Sequence, residues 1–144
     1  MNKKIQAVPV IGLLATVAVA AYIVVQLDGQ EKTIGDFRNA ASAEVRDGSG
    51  QVLLRGQFVL ADEEDDDIER KATLQPTAVD ADATGEAEVE HAKATPAEQE
   101  VEFSVRNLQP GLALTFVIDG VEVAKATTDE RGRAEVELDV RTAG

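Results

Sequence analysis

The sequence predicts an all-β protein, an antiparallel β-sandwich of about seven or eight strands, preceded by one N-terminal transmembrane helix. Three observations carry this. From Ser42 onward, apolar and polar residues alternate with a period of two, the pattern of strands buried on one face. Gly-centred turn sequences interrupt that alternation every 8–12 residues or so, about the spacing of sandwich strands. Finally, Ile5–Val25 is an apolar run whose polar members are Gln6 and Thr16, with no acidic residue before Asp28.

The N-terminal run comes first. As a helix it spans roughly 30 Å, the thickness of a bilayer's hydrocarbon core. A helix is the form lipid allows, because it satisfies its own backbone polar groups. Lys3 and Lys4 flank it on the short side, which predicts a cytoplasmic N-terminus (1–4), a transmembrane signal anchor (5–27) and export of everything after it, periplasmic or extracellular. Tyr22 falls near the outer interface, where an amphipathic ring is favoured. The alternative is a cleaved signal peptide with Ala18-Val19-Ala20 as the small-residue site. The apolar run, however, continues through Tyr22-Ile23-Val24-Val25, beyond the about 7–15 residues of a signal-peptide core. Residues 28–41, with Gly29, Gly35 and mixed charges, read as a juxtamembrane linker with a short helical turn around Phe37. Residues 42–144 read as the exported acidic domain.

Within that domain the strands follow in order. Ala43 and Val45 alternate with Glu44 and Arg46; Val52, Leu54, Phe58 and Leu60 share a face with Gly56. Residues 61–69 read as a solvated loop. Ala87 and Val89 alternate with Glu86, Glu88 and Glu90, and Val101, Phe103 and Val105 with Glu102, Ser104 and Arg106. Leu112, Leu114, Phe116 and Ile118 form the longest apolar face, and Ala134, Val136, Leu138 and Val140 close the series. Asp119-Gly120, between Thr115–Ile118 and Val121–Ala124, is the signature of a two-residue hairpin with a type I′ turn. The frame D-x-x-G-x-A-E-V-E occurs twice, at 82–90 and 129–137, and Asp47-Gly48-Ser49-Gly50 repeats its turn. A duplicated half-domain and the limited repertoire of turn-plus-strand sequences both produce such an echo.

The stretch Ala126-Thr127-Thr128-Asp129-Glu130-Arg131-Gly132-Arg133-Ala134-Glu135-Val136-Glu137-Leu138 resembles the closing hairpin of bacterial immunoglobulin-like and transthyretin-like modules. Ala72-Thr73-Leu74, Ala83-Thr84-Gly85-Glu86-Ala87, Val101–Val105 and Leu108 resemble chordin-type CHRD modules, although His91 leaves no second histidine to match the His pair associated with them. Both resemblances imply an extracytoplasmic β-sandwich, and neither implies a reaction.

Composition narrows the chemistry. The chain has 27 acidic and 14 basic residues, no Cys, no Trp and one His. Lys3 and Lys4 are the basic residues that precede Asp28, so residues 28–144 hold 12 basic against 27 acidic groups, a net of −15. Such a domain repels nucleic acid and anionic headgroups, leaving the membrane (through 5–25) and an unidentified protein as partners. Without Cys there are no disulfides, thiolate metal sites or Cys nucleophile. The run Asp62-Glu63-Glu64-Asp65-Asp66-Asp67 and the spaced pair Asp80 and Asp82 supply the hard oxygens Ca²⁺ prefers, making Asp62, Asp65, Asp67, Asp80 and Asp82 candidate ligands. Counted from Asp80 as position 1, however, position 12 is His91 and not the bidentate Glu of a Ca²⁺ loop. His91 continues the Ala87/Val89 face and reads as a structural residue at a strand end. Ser42, Ser49 and Ser104 lack a nucleophile-elbow context, and no phosphate-binding Gly loop occurs. The expected function is a structural or protein-interaction role without catalysis. A Ca²⁺-binding module is the alternative, and a small-ligand carrier or enzyme a second one.

Overall fold

The alternating runs become strands, and their Gly-centred breaks become turns. The computed structural model describes residues 33–142, so the expected cytoplasmic residues 1–4, the anchor (5–27) and linker residues 28–32 lie outside the described residues. Nine strands occur among the described residues: β1 (Thr33–Ile34), β2 (Ser42–Asp47), β3 (Val52–Glu63), β4 (Asp67–Pro76), β5 (Thr84–Ala92), β6 (Glu98–Arg106), β7 (Ala113–Ile118), β8 (Val121–Thr127) and β9 (Ala134–Arg141). No helix is present among them. They line up as β1-β9-β6-β5-β4-β3-β2-β7-β8, antiparallel throughout except where the two residues of β1 run parallel to the end of β9.

This order is a meander from β2 to β6, after which the chain crosses over, forms the β7–β8 hairpin and returns with β9 beside β6. That arrangement is a Greek key. The sheet curls until β8, at one edge, lies beside β9, the long strand next to the other edge, without a shared hydrogen-bond ladder. Phe103 on β6 and Phe116 on β7 meet across the interior, their centroids 4.9 Å apart and their planes tilted by 53°. The expected antiparallel strand set is therefore present, as one nearly closed sheet around a single core. The long strands β3 and β4 lie in the middle of that sheet, and their register shifts at a bulge between Leu60 and Asp62.

The core follows the alternation. Val45, Leu54, Val89, Val101, Phe103, Leu114, Phe116, Val136 and Val140 are buried, each flanked along its strand by an outward-facing neighbour. Two expectations change. Residues 61–69 are largely strand: Glu63 pairs with Ile68 and Asp62 with Glu69, so only residues 64–66 form the turn. Outward-facing carboxylates on an exposed hairpin keep their hydration, so charge does not prevent backbone pairing. The later part of the expected linker also belongs to the domain. Phe37 and Ala40 are buried in the core, and the turn between them closes through the Ala40 N–H donating to the Phe37 carbonyl at 3.1 Å.

The turns explain much of the sequence's punctuation. Asp119 and Gly120 both have positive φ, 49° and 81°, as a type I′ turn needs. The Asp119 carboxylate also accepts the N–H groups of Ala41 (3.0 Å) and Ser42 (2.9 Å), fastening the entry to β2. The five residues 129–133 form a loop in which Asp129 Oδ1 accepts the N–H of Arg131 (2.8 Å) and of Arg133 (3.0 Å). Residues 47–51 repeat it, with Asp47 Oδ1 accepting from Ser49 (2.9 Å) and Gln51 (3.0 Å). In both, the fourth residue is a Gly at positive φ, Gly132 at 74° and Gly50 at 89°. The echo at 82–85 is different: Gly85 lies within β5, opposite Val105. The repeat in structure is thus the short turn at Asp47, not the longer sequence match at Asp82.

Candidate functional site

The Ca²⁺ candidates fall at opposite ends of β4. Asp62, at the end of β3, Asp65, in the turn, and Asp67, opening β4, cluster at the hairpin tip. Asp80 and Asp82 lie in the β4–β5 connection, about 30 Å away along the strand at roughly 3.3 Å per residue. The two groups cannot share an ion. At the tip, Asp62, Glu64, Asp67, Glu69 and Glu90 line a shallow depression. Lys93 borders it, its Nζ 3.3 Å from Glu63 and its N–H donating to the Asp66 carbonyl at 2.7 Å. At the other end, Asp80 Oδ1 accepts the Asp82 N–H at 3.3 Å, an Asx turn. Among the described residues no three His, Cys, Asp or Glu side chains are grouped so as to hold a metal ion.

His91 sits where β5 ends, half-buried on the inner face beside Gln99 of β6. Burial holds its pKa below the usual imidazole value, the Arg38 charge adds to this, and Asp36 opposes it. Arg38 and Asp36 form an ion pair at 2.6 Å. Arg70 Nε and His91 Nδ1 are buried without a hydrogen-bond partner among the described residues.

Gln99 is a residue that sequence reasoning passes over. It is buried, its Oε1 accepts the Phe37 N–H at 2.7 Å, and its Nε2 donates to Thr142 Oγ1 at 2.8 Å. It therefore ties the segment entering the domain to the one leaving it. The available signal is a Gln occupying an inward position in the series Gln99, Val101, Phe103, Val105.

The largest electrostatic feature is the outer face of β4, β5, β6 and β9. Register places Glu69, Glu90, Glu100 and Asp139 in one row across the four strands, and Lys71, Glu88, Glu102 and Glu137 in the next. The row beyond holds Thr73, Glu86, Ser104 and Glu135. In these three rows nine carboxyl groups surround one cation. Lys71 Nζ is 3.2 Å from Glu88, 3.8 Å from Glu86 and 4.0 Å from Glu69. Directly opposed side chains on antiparallel strands have Cβ atoms about 5 Å apart, and like charges there repel. The carboxyls respond accordingly. Glu100 is pushed up to about 7, first by a hydrogen bond shared with Glu137, then by burial and by the charges of Glu137, Glu90 and Asp139. Burial and then the neighbouring carboxylates, Glu88 foremost, raise Glu102 and Glu69 as well.

Fold and surface together define a class: an all-β domain with an apolar core and a concentrated acidic sheet face. No protein-family model, curated protein or solved structure matches the chain.

Proposed function

We propose that the protein is a membrane-anchored, exported, non-catalytic domain of the β-sandwich class, with a structural or protein-interaction role exercised through the acidic face of β4, β5, β6 and β9. The observation that carries this is the concentration of carboxylates around Lys71 on one continuous sheet surface. Scattered charge is enough for solubility. A face of one sign suits a partner with a basic surface, for which it provides steering and orientation. The apolar run Ile5–Val25 and Lys3-Lys4 support anchoring with the domain exported.

The test is photo-crosslinking of the full-length chain in its native membrane. A photoreactive residue replaces Glu102 in one variant and Lys125, on β8, in another. The expected result is a discrete protein adduct from position 102 and none from 125, with the chain retained in alkali-washed membranes. Absence of an adduct at 102 refutes the interaction face, and extraction by alkali refutes the anchor.

The depression at the β3–β4 tip favours Ca²⁺ binding as a second reading. Asp62 and Asp67 line that depression and Asp65 lies beside it in the turn; because no three carboxylates are grouped there as a ready-made ion site, binding would require the tip to rearrange around the ion.

A further inference from the structure

We propose that the far end of β3, residues 59–63, is a docking edge on which a partner protein lays an extended segment as an added strand. The segment runs antiparallel to β3, apolar where it passes Val59 and Leu60 and basic where it passes Asp62 and Glu63. The ladders define the edge. β2 pairs with β3 from Val52 to Gln57, and the Phe58 N–H makes the last contact, donating to the Ala41 carbonyl at 2.9 Å. The Ala41 N–H does not return the bond, because the Asp119 carboxylate takes it at 3.0 Å. From there the entering chain leaves the line of β2: Ala40 and Phe37 are buried in the core, and the Phe37 N–H is held by Gln99 on β6. β3 continues to Glu63, paired with β4 through Val59, Leu60, Asp62 and Glu63, and no strand flanks these residues on the other side among the described residues.

Along an antiparallel strand, alternate residues turn both backbone groups to the same neighbour. Phe58 directs its N–H to the β2 side, so Leu60, two residues on, directs its own N–H and C=O there as well. Such a row of unpaired groups is a template for another strand, which proteins blunt with bulges and charge. Here the guard is partial. The bulge falls between Leu60 and Asp62, the carboxylates begin at Asp62, and the two residues before the bulge are apolar. Val59 and Leu60 are 62% and 53% exposed, on opposite faces of the strand. An added strand covers part of both while it pairs the backbone.

Charge selects the occupant. Beyond Leu60 the edge runs into Asp62-Glu63-Glu64-Asp65-Asp66-Asp67, and the cation beside that run, Lys93, is already 3.3 Å from Glu63. Residues 59–63 of a second copy bring no cation, and two chains of net charge −13 repel. A basic segment gains the backbone pairing and the attraction together. The edge is separate from the acidic outer face of β4, β5, β6 and β9, so it can dock a strand whether or not that face binds a partner.

The test is ¹⁵N NMR of the full-length chain in neutral detergent micelles, titrated to millimolar concentration with the end-blocked peptide Lys-Lys-Thr-Val-Val-Thr. Antiparallel pairing sets its lysines beside Asp62 and Glu63 and its valines beside Val59 and Leu60. Saturable shifts are expected at the amides of residues 58–62 and none at Glu88 or Glu102. Methylating alternate backbone nitrogens of the peptide should weaken binding about tenfold or more, the effect of losing one or two backbone hydrogen bonds. Leu60→Pro should do the same, since it removes the edge's donor at a position where the N–H faces solvent. Glu135→Gln, on the outer face of β9, should leave binding unchanged. Absence of shifts at residues 58–62 overturns the docking edge. Binding that survives both peptide methylation and Leu60→Pro also overturns it, by showing attraction of charge alone. Shifts confined to Glu88 and Glu102 put the peptide on the acidic face and overturn it likewise. Concentration-dependent shifts at the edge without peptide make a second copy the occupant and overturn the basic partner. Should Leu60→Pro not fold, the methylated peptide decides.

Discussion

Gly132 and Gly111 provide an internal control for separating backbone strain from collision. Their φ angles are nearly the same, 74° and 73°. An L-residue in this region costs about 1–2 kcal/mol, so alanine should pay that amount at either site. The surroundings differ. A Cβ at Gly132 would stand 1.9 Å from the carbonyl oxygen of Leu108 and 2.9 Å from its carbonyl carbon, whereas at Gly111 nothing lies within 4 Å. The Leu108 backbone has no room to retreat. Its N–H donates to the Gly132 carbonyl at 3.1 Å, and the same two connections are joined through Thr128, whose N–H donates to Leu112 O at 3.0 Å. Relieving the overlap therefore breaks at least one such bond, adding about 1 kcal/mol for the bond and a further 1–2 for a buried group left unpaired. Gly132→Ala should destabilise by about 3–5 kcal/mol and Gly111→Ala by about 1–2. The assay is urea unfolding followed by far-UV circular dichroism, because the chain has no Trp and its one Tyr lies in the apolar N-terminal run. Equal costs for the two substitutions, within about 0.5 kcal/mol, would refute the reasoning.

Two further predictions concern the polar end of the core and the acidic tip. Gln99→Ala leaves the Phe37 N–H unpaired in a buried setting and releases Thr142, and should cost about 1–3 kcal/mol in a thermal melt. A loss below about 0.5 kcal/mol would show that the Gln99 bridge is dispensable. If Ca²⁺ binds at the β3–β4 tip, adding it in millimolar amounts should raise the melting temperature relative to chelator, and Asp67→Asn should abolish the rise. An unchanged melt in both conditions ends that reading.

The strands whose alternation is strict were legible in advance. β5 buries Ala87 and Val89, β6 Val101, Phe103 and Val105, and β9 Ala134, Val136, Leu138 and Val140, each between outward-facing neighbours, and the period of two assigns the inward face without reference to any other strand. β4 was not legible. Its inner positions are Ile68, Arg70, Ala72 and Leu74, and its first half follows a run of carboxylates, so local hydrophobicity understates a strand held by backbone pairing on both sides. Phe37 was hidden for a related reason: it lies outside any alternating run, and the residue that accepts its backbone N–H, Gln99, is 62 residues away. The acidic face was half visible. Each strand showed Glu on its polar side, but only register brings Glu90, Glu100 and Asp139 into one row.

Local sequence therefore determined what local forces determine: where strands form, which side of each is apolar, and where the backbone reverses with Gly at positive φ. The hairpin at Asp119-Gly120 and the loops at Asp47 and Asp129 belong here, because their hydrogen bonds close within five residues or fewer. Strand order, register and the curling that brings Phe103 to Phe116 are collective outcomes of pairing between distant segments, and no short window encodes them. The same holds for the acidic face. Alternation along each strand made its carboxylates face outward, but the pairing of β4, β5, β6 and β9 side by side set directly opposed ones, such as Glu90 and Glu100 or Glu88 and Glu102, with Cβ atoms about 5 Å apart, where like charges repel.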